Sequence, residues 1–434
     1  MAWSDRGRVA VICAPPNGSN PGMTSVDLAF ADVARTAGLT DVTYWRLWDF
    51  SEWREFRGDA ELVPAGSYRD DDTGLVYQSL RGRWDEALSA EHVVFWGDFM
   101  HMAVYQQQTV DVLARRIGLC SREEAEELVA RSLLLRGVDE DALGRVLSYG
   151  STLGMNTPND YRSVYGRDLE RFARGVRGIW CRDPYSAQVV RGLRGPDRGS
   201  AQALDAAFLL HDGVQLGGGG LGVFIGRSDA NPMTVGTFGR RLSRRLDLTP
   251  RWIPWGEAPA FWPVDAGRRF RTAWPALELE QKAPSSADLL RTRYATLRGI
   301  PKTASARPPV KDLIHGLGDY DVILTDTYHL AINAWAQGVP TICLVDHGGK
   351  AWNVNSGEPN MRRDKRVDLY SQLDALGLVV DLTSLGRGTA TEVERVAELA
   401  NDEGFLTVVR ERIATQRGHS MDAIVSALRS AAPR

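Results

Sequence analysis

The 434-residue sequence predicts an α/β protein with two doubly wound parallel-sheet domains facing a central cleft. Three observations lead there. Short apolar runs of strand length alternate with helix-periodic stretches along nearly the whole chain. Four consecutive glycines, Gly217–Gly220, break that alternation near mid-chain, and no element interior tolerates such a run. Strand character then restarts at Leu221, so the expected division is domain 1–212, a glycine hinge at 213–220 and domain 221–434.

The elements follow in order. Arg8–Pro15 reads as a buried strand, followed by a Gly/Pro loop and a helix over Thr24–Ala37. Strands are expected at Asp41–Trp48, His92–Trp96, Arg145–Tyr149, Gly178–Cys181 and Leu204–Leu210. Helices are expected at Glu123–Leu135, Leu169–Arg177 and Tyr185–Leu193. The second half offers strands at Gly222–Gly226, Arg251–Trp255, Asp321–Thr325, Thr341–Val345 and Leu378–Leu382. Its helices read as Val235–Leu246, Ala287–Leu297, Val310–Leu317, Tyr328–Gln337, Val367–Leu376, Glu392–Asn401 and a long C-terminal helix, Phe405–Leu428.

Composition narrows the function classes. Hydrophobic residues at 43% and charged residues at 25% suffice for full-sized cores. A net charge of −3 excludes a dominant nucleic-acid footprint. The cations are 47 Arg and five Lys, with every Lys in the second half. Four Cys without CxxC spacing point to buried free thiols and a cytoplasmic location. No apolar run is long enough to span a membrane, and the first apolar stretch is too short for a signal peptide. The seven His show no HExxH or HxH spacing, and Asp70-Asp71-Asp72 reads as a solvated loop, so neither metal nor cofactor is expected. A homo-oligomer is left open.

Ligands of such sheets bind beyond the carboxyl ends of strands, so strand-end residues are the candidates. The clearest unit is Asp321–Leu344, a β-turn-α-turn-β segment. Asp326 or Thr327 is placed to cap its helix, and Gly338 to end it. His329 falls in the first helical turn, where free N–H groups and the helix dipole attract anions. Asn333 shares its face one turn on. Arg182 ends another strand and carries a fork suited to carboxylate or phosphate. Asn17 and Asn20 lie in the first βα loop, Gly97 and Asp98 end a strand, and Ser151 and Thr152 end the next. Their alternative is ordinary turn chemistry. His347-Gly348-Gly349-Lys350 also follows a strand, and the clusters Trp45, Trp48, Trp53 and Trp252, Trp255, Trp262 read as sugar-stacking platforms or as core.

Asp321–Leu344 resembles the late signature of the polysaccharide pyruvyl transferase family, roughly Ser-x-Arg-Leu-His-Gly, an apolar helix, then Gly-x-Pro-x-Ile. Gly178–Ser186 is similar to that family's strand followed by Arg-Asp/Glu-x-x-Ser, and Leu204–Leu210 to its Asp-x-x-Phe strand. Arg363–Val367 resembles its Lys-bearing segment. The four agree in order and spacing over roughly residues 90–400. The resemblance implies a glycosyltransferase-B-like (GT-B-like) fold without a metal. It also implies transfer of a pyruvyl or related group from a small anionic, phosphoenolpyruvate-like donor to a sugar or polar hydroxyl. It makes His329 and Arg182 the catalytic candidates, with Arg182, Thr327, Tyr328, His329, Asn333 and Lys365 on the donor side. Asn17, Asn20, Gly97, Asp98, Ser151 and Thr152 would face the acceptor, in the first domain. The pattern departs where Thr327 replaces the family Arg and Met23 its Asp, and where Trp96–Phe99 holds one Gly.

Two other readings share the architecture. A nucleotide-sugar-dependent glycosyltransferase suits a neutral turn with a helix dipole. A non-catalytic ligand-binding protein predicts stabilisation without product.

Overall fold

The computed structural model describes residues 7–14, 21–46, 67–70, 73–80, 82–97, 101–116, 120–154, 156–195, 200–210, 219–225, 232–253, 255, 309–345, 364–383 and 385–430. The chain divides into two compact units, with cuts between His211 and Asp212 and between Ala414 and Thr415. The fold class is the expected one, α/β with two parallel sheets.

The first unit holds eight strands: β1 (Val9–Cys13), β2 (Val42–Arg46), β3 (Ser67–Arg69), β4 (Val76–Ser79), β5 (His92–Trp96), β6 (Val146–Ser151), β7 (Gly178–Cys181) and β8 (Ser200–Gln202). They are ordered β3-β4-β2-β1-β5-β6-β7-β8, and only the edge strand β3 runs antiparallel. The strands β1, β5 and β6 are buried along their whole length. That burial explains why β1 and β5 read as unbroken apolar runs rather than alternating ones. Helices α1 (Pro21–Ala37), α2 (Trp84–Leu88), α3 (Ala103–Asp111), α4 (Arg122–Leu134), α5 (Glu140–Leu143), α6 (Pro158–Arg162), α7 (Val164–Gly175) and α8 (Pro184–Arg194) supply the crossovers. Their starts are chemically marked. Ser121 and Glu124 form a capping box at α4, worth about 1 kcal/mol. Asp183 caps α8 ahead of Pro184.

The second unit holds β9 (Leu221–Phe224), β10 (Pro250–Trp252), β11 (Val322–Thr325), β12 (Thr341–Val345) and β13 (Val379–Asp381). All are parallel, in the order β10-β9-β11-β12-β13. Helices α9 (Pro232–Leu246), α10 (Val310–His315), α11 (Tyr328–Ala336), α12 (Lys365–Gln372), α13 (Leu385–Asn401) and α14 (Glu403–Arg429) accompany them. Strand order reverses between β1 and β5 in the first sheet and between β9 and β11 in the second. Those reversals are the topological switch points at which doubly wound sheets take ligands.

Several expectations change. Leu204–Leu210 is not a strand: Ala206–Leu209 is a 3-10 turn, because the Asp205 side chain accepts the Ala207 N–H. The strand lies earlier, at β8. The short, partly polar β3, β4 and α2, together with α3 and α6, carry no strong periodicity and were not expected. Val310–Leu317 is α10 followed by a 3-10 turn at Gly316–Asp319. The expected second domain ran to residue 434, but residues from Thr415 onward belong with the first unit. There Ser420 Oγ accepts the Leu204 N–H at 3.0 Å, and Arg177 donates to Ala427 O at 2.9 Å. The glycine joint at 213–218 and the helix expected at Ala287–Leu297 lie outside the described residues.

Candidate functional site

In the second unit, β11 ends at Thr325, paired with Phe224 at the end of β9. The switch point therefore opens onto Asp326, Thr327, Tyr328 and His329. All four are buried. Thr327 is the N-cap of α11, and its side chain makes no capping hydrogen bond. Thr325 Oγ1 accepts the Thr327 N–H at 3.0 Å, and the Thr327 hydroxyl donates to Asp326 Oδ1 at 3.1 Å. The His329 ring is 1% exposed and meets the Tyr328 ring edge-on, centroids 5.2 Å apart. Asn333 does share the His329 face, but its amide donates to the His329 carbonyl at 2.7 Å.

The start of α12 joins the same turn. Lys365 Nζ lies 4.7 Å from the centre of the Tyr328 ring, a cation–π contact. Arg366, which sequence reasoning missed, donates to Asp326 O and Leu344 O, both at 2.9 Å, and pairs with Asp364. It ties the carboxyl ends of β11 and β12 together. Burial disfavours its charge, but the hydrogen bonds and charge of Asp364 outweigh that and hold its pKa above the ordinary Arg value. Cys343, behind this turn, is pushed up to about 12 by burial and stays a thiol.

The first unit gathers Arg182, Ser151, Thr152 and Gly97. Arg182, expected on the donor side, belongs to this unit. Its guanidinium donates to Asp205 Oδ2 at 2.9 Å, and both side chains are buried. The neighbouring motif residues are also engaged. Asp183 Oδ1 accepts the Ser186 N–H, and Asp183 Oδ2 accepts the hydroxyls of Ser186 and Thr152, all at 2.7 Å. Ser186 Oγ accepts the Leu153 N–H at 2.7 Å. Arg182-Asp183-x-x-Ser186 and Asp205-x-x-Phe208 thus lock onto each other and onto the end of β6.

Gly97 has φ +96°, and a Cβ there would lie 2.7 Å from Val26 Cγ1. The glycine lets α1 close onto β5, where Trp96 Nε1 donates to Val26 O at 2.6 Å. Asn17, Asn20, Asp98 and His347–Lys350 lie outside the described residues, as do Trp48, Trp53 and Trp262. Trp45 and Trp255 are 2% exposed, which places them in the core rather than on a sugar platform.

The structure adds two polar clusters. Asp27 on α1 meets Tyr77 Oη at 2.9 Å and Arg46 at 3.8 Å, near the ends of β1, β2 and β4. Asp70 stands 3.6 Å from Arg46. Burial raises Asp27 to about 6, against the pull of Arg46 and Tyr77. The second cluster is His101, whose Nδ1 faces Leu133 O at 3.0 Å and Nε2 faces Ser148 Oγ at 2.9 Å. Ser148 Oγ in turn lies 2.6 Å from Ser151 Oγ. A lone buried polar residue between apolar elements gives no sequence signal, so neither cluster was foreseen.

Burial pushes His101 from 6.5 down to about 4. The ring is neutral when folded and protonates near 6.5 when unfolded, so its stabilisation is complete above that pH. It is lost as pH falls toward 4, a loss of about 3 kcal/mol. The raised Asp27 works in the opposite sense. Urea unfolding of the wild type and His101→Gln, each at pH 7.5 and 4.5, isolates this contribution: on acidification the variant should lose about 2–3 kcal/mol less than the wild type.

No helix among the described residues is long and apolar enough to cross a membrane. No family model matches the chain, and a search of curated proteins finds no match. Among solved structures it is similar to a UDP-forming α,α-trehalose-phosphate synthase from Burkholderia xenovorans, with 12% identity, 98% of this chain and 100% of that chain covered, and a TM-score of 0.47. It is also similar to a trehalose-6-phosphate synthase from E. coli bound with UDP-2-fluoro glucose, at 9% identity, 98% and 100% coverage and a TM-score of 0.48. A UDP-N-acetylglucosamine 2-epimerase from Rickettsia bellii gives 12% identity, 96% and 98% coverage and a TM-score of 0.41. The fold assignment itself rests on the strand order and register.

Proposed function

We propose that this chain is a sugar-related transferase whose donor docks at the β9/β11 switch point of the second unit. The donor is a diphosphate-linked sugar rather than a compact trianion such as phosphoenolpyruvate. One observation carries the choice: the charge balance of the turn before His329. Thr327 stands where the pyruvyl transferase resemblance would put Arg, and its hydroxyl is turned to the buried Asp326 carboxylate. Arg366 is committed to two backbone carbonyls and to Asp364. Among the described residues, what the turn offers an anion is the start of α11 together with the Lys365 ammonium over Tyr328. That set suits a diphosphate, whose charge is spread over two groups. A small trianion needs several converging cations. In this reading His329 donates a hydrogen bond to the departing phosphate, and a polar acceptor binds on the first unit.

A thermal-shift series with UDP-glucose, GDP-mannose and phosphoenolpyruvate tests it. A nucleotide sugar at a hundred times its Kd should stabilise the chain by about 2.7 kcal/mol. Lys365→Ala should abolish that gain. Stabilisation by phosphoenolpyruvate alone would restore the pyruvyl reading. A nucleotide sugar that binds without yielding product in the presence of sugar acceptors would indicate a binding protein.

A further inference from the structure

The last carbonyls of a helix have no partner within it. In α14 those of Ala427, Leu428 and Ser430 find partners on the first sheet. His92 begins β5 and Arg177 stands just before β7, on either side of β6 at the amino edge of that sheet. Arg177 Nη2 donates to Ala427 O at 2.9 Å, and Nη1 donates to Ser430 O at 3.4 Å. Nη2 also donates to His92 Nδ1, 3.1 Å away. A guanidinium can only donate, so Nδ1 is the acceptor and the neutral ring carries its proton on Nε2. His92 also hydrogen-bonds the Leu428 backbone, and a carbonyl only accepts, so Nε2–H is that donor. Two side chains from the sheet thus meet three carbonyls of one helix end. Both roles of the ring hold only while it is neutral.

Two charged groups face that ring. One is Arg177; the other is the half-exposed Glu91, whose Oε1 lies 3.8 Å from Nε2. Burial, then Arg177, lowers His92 from 6.5 to about 4, and Glu91 and the Leu428 carbonyl oppose this without prevailing. A proton on Nδ1 removes the acceptor that Arg177 uses and sets a second cation against the guanidinium. The same turn of α14 is also held by an exposed hydrogen bond from Arg429 to Thr36 O at 2.7 Å. Farther up the helix, Ser420 Oγ accepts the Leu204 N–H and Arg417 donates to Leu210 O, both at 3.0 Å. Neither of those contacts titrates between pH 4 and 7.

We infer that the end of α14 is a proton-sensitive latch: neutral His92, together with Arg177, holds residues 421–430 on the first sheet, and protonation of His92 releases them while Ser420 and Arg417 keep their contacts. The direction follows from the ring. It is neutral when docked and takes up a proton near 6.5 when freed, so the latch is complete above that pH and weakens as pH falls toward 4. Release bares the buried Ile424, Val425 and Leu428, so the freed form stays a minor population. The inference is independent of the transferase reading, since none of its residues belongs to the proposed donor site.

The test is amide hydrogen exchange of the full-length chain at pH 7.5 and 4.5, corrected for the intrinsic pH dependence of exchange. The opening equilibrium of residues 421–430 should rise roughly 80-fold at the lower pH, and these residues should exchange ahead of β6 at both. His92→Gln keeps an acceptor and a donor without a titrating ring, so it should remove most of that rise. His101→Gln should leave it in place. NMR of the histidine-labelled wild type follows the ring directly and needs no variant to fold: the His92 midpoint should lie near 4. It should climb in Arg177→Met, which takes away the opposing cation. A wild-type His92 midpoint near 6.5 would overturn the inference. So would a pH response that survives in His92→Gln, or exchange of residues 421–430 in step with β6.

Discussion

Arg182→Met is expected to destabilise the chain by about 3–5 kcal/mol, because it strips the buried Asp205 carboxylate of the guanidinium that faces it. The cost should extend to the Asp205 turn, where Oδ1 accepts the Ala207 N–H at 3.0 Å. Removing both charges, in Arg182→Met with Asp205→Asn, should recover most of the loss, since a neutral pair carries no uncompensated charge. Urea unfolding of the two single variants and the double variant measures the coupling. An Arg182 reserved for substrate gives a different result: lost turnover, near-additive stabilities and a small cost for the single change. The structure favours the first outcome because the ion pair is nearly closed to solvent.

His329→Gln is expected to lower kcat by about 100-fold while leaving the thermal midpoint within a few degrees. Glutamine keeps a donor and much of the ring's volume. His329→Ala should lose stability as well, by about 2–5 kcal/mol, because the ring is 1% exposed and its removal leaves a cavity beside Tyr328. Product formation with the donor identified by thermal shift, read beside the melting curves, separates the two effects. Full turnover in His329→Gln, with His329→Ala failing only in proportion to its unfolded fraction, would make the imidazole a packing group.

These cases show where the sequence is legible. The central parallel strands β1, β5, β11 and β12 read directly, because burial on both faces writes them as short apolar runs. The edge strand β3 and its neighbour β4 are short and carry mixed residues, so no period marks them. Leu204–Leu210 misleads because its apolar residues are as buried as a strand's, while Asp205 turns the backbone into a 3-10 helix. The His329 turn was found from its place between strand and helix. Its partner Arg366 was not, since nothing local says that a guanidinium will reach the ends of two strands. Arg182 is the converse case. Its motif reads as chemistry, and the structure shows it bonded to a residue 23 positions on. A single sequence does not reveal that pairing.

The placement of α14 bears on how this protein is made. The first unit includes residues from both sides of the second, so the second is, in connectivity, an insertion within the first. The hydrogen bonds from Arg177 to Ala427 and from Leu204 to Ser420 cannot form until the last helix has left the ribosome. During synthesis the later-encoded lobe can therefore finish before the earlier one, whose described strands are all made by Gln202 but whose contacts with α14 form only after the second lobe has been synthesised.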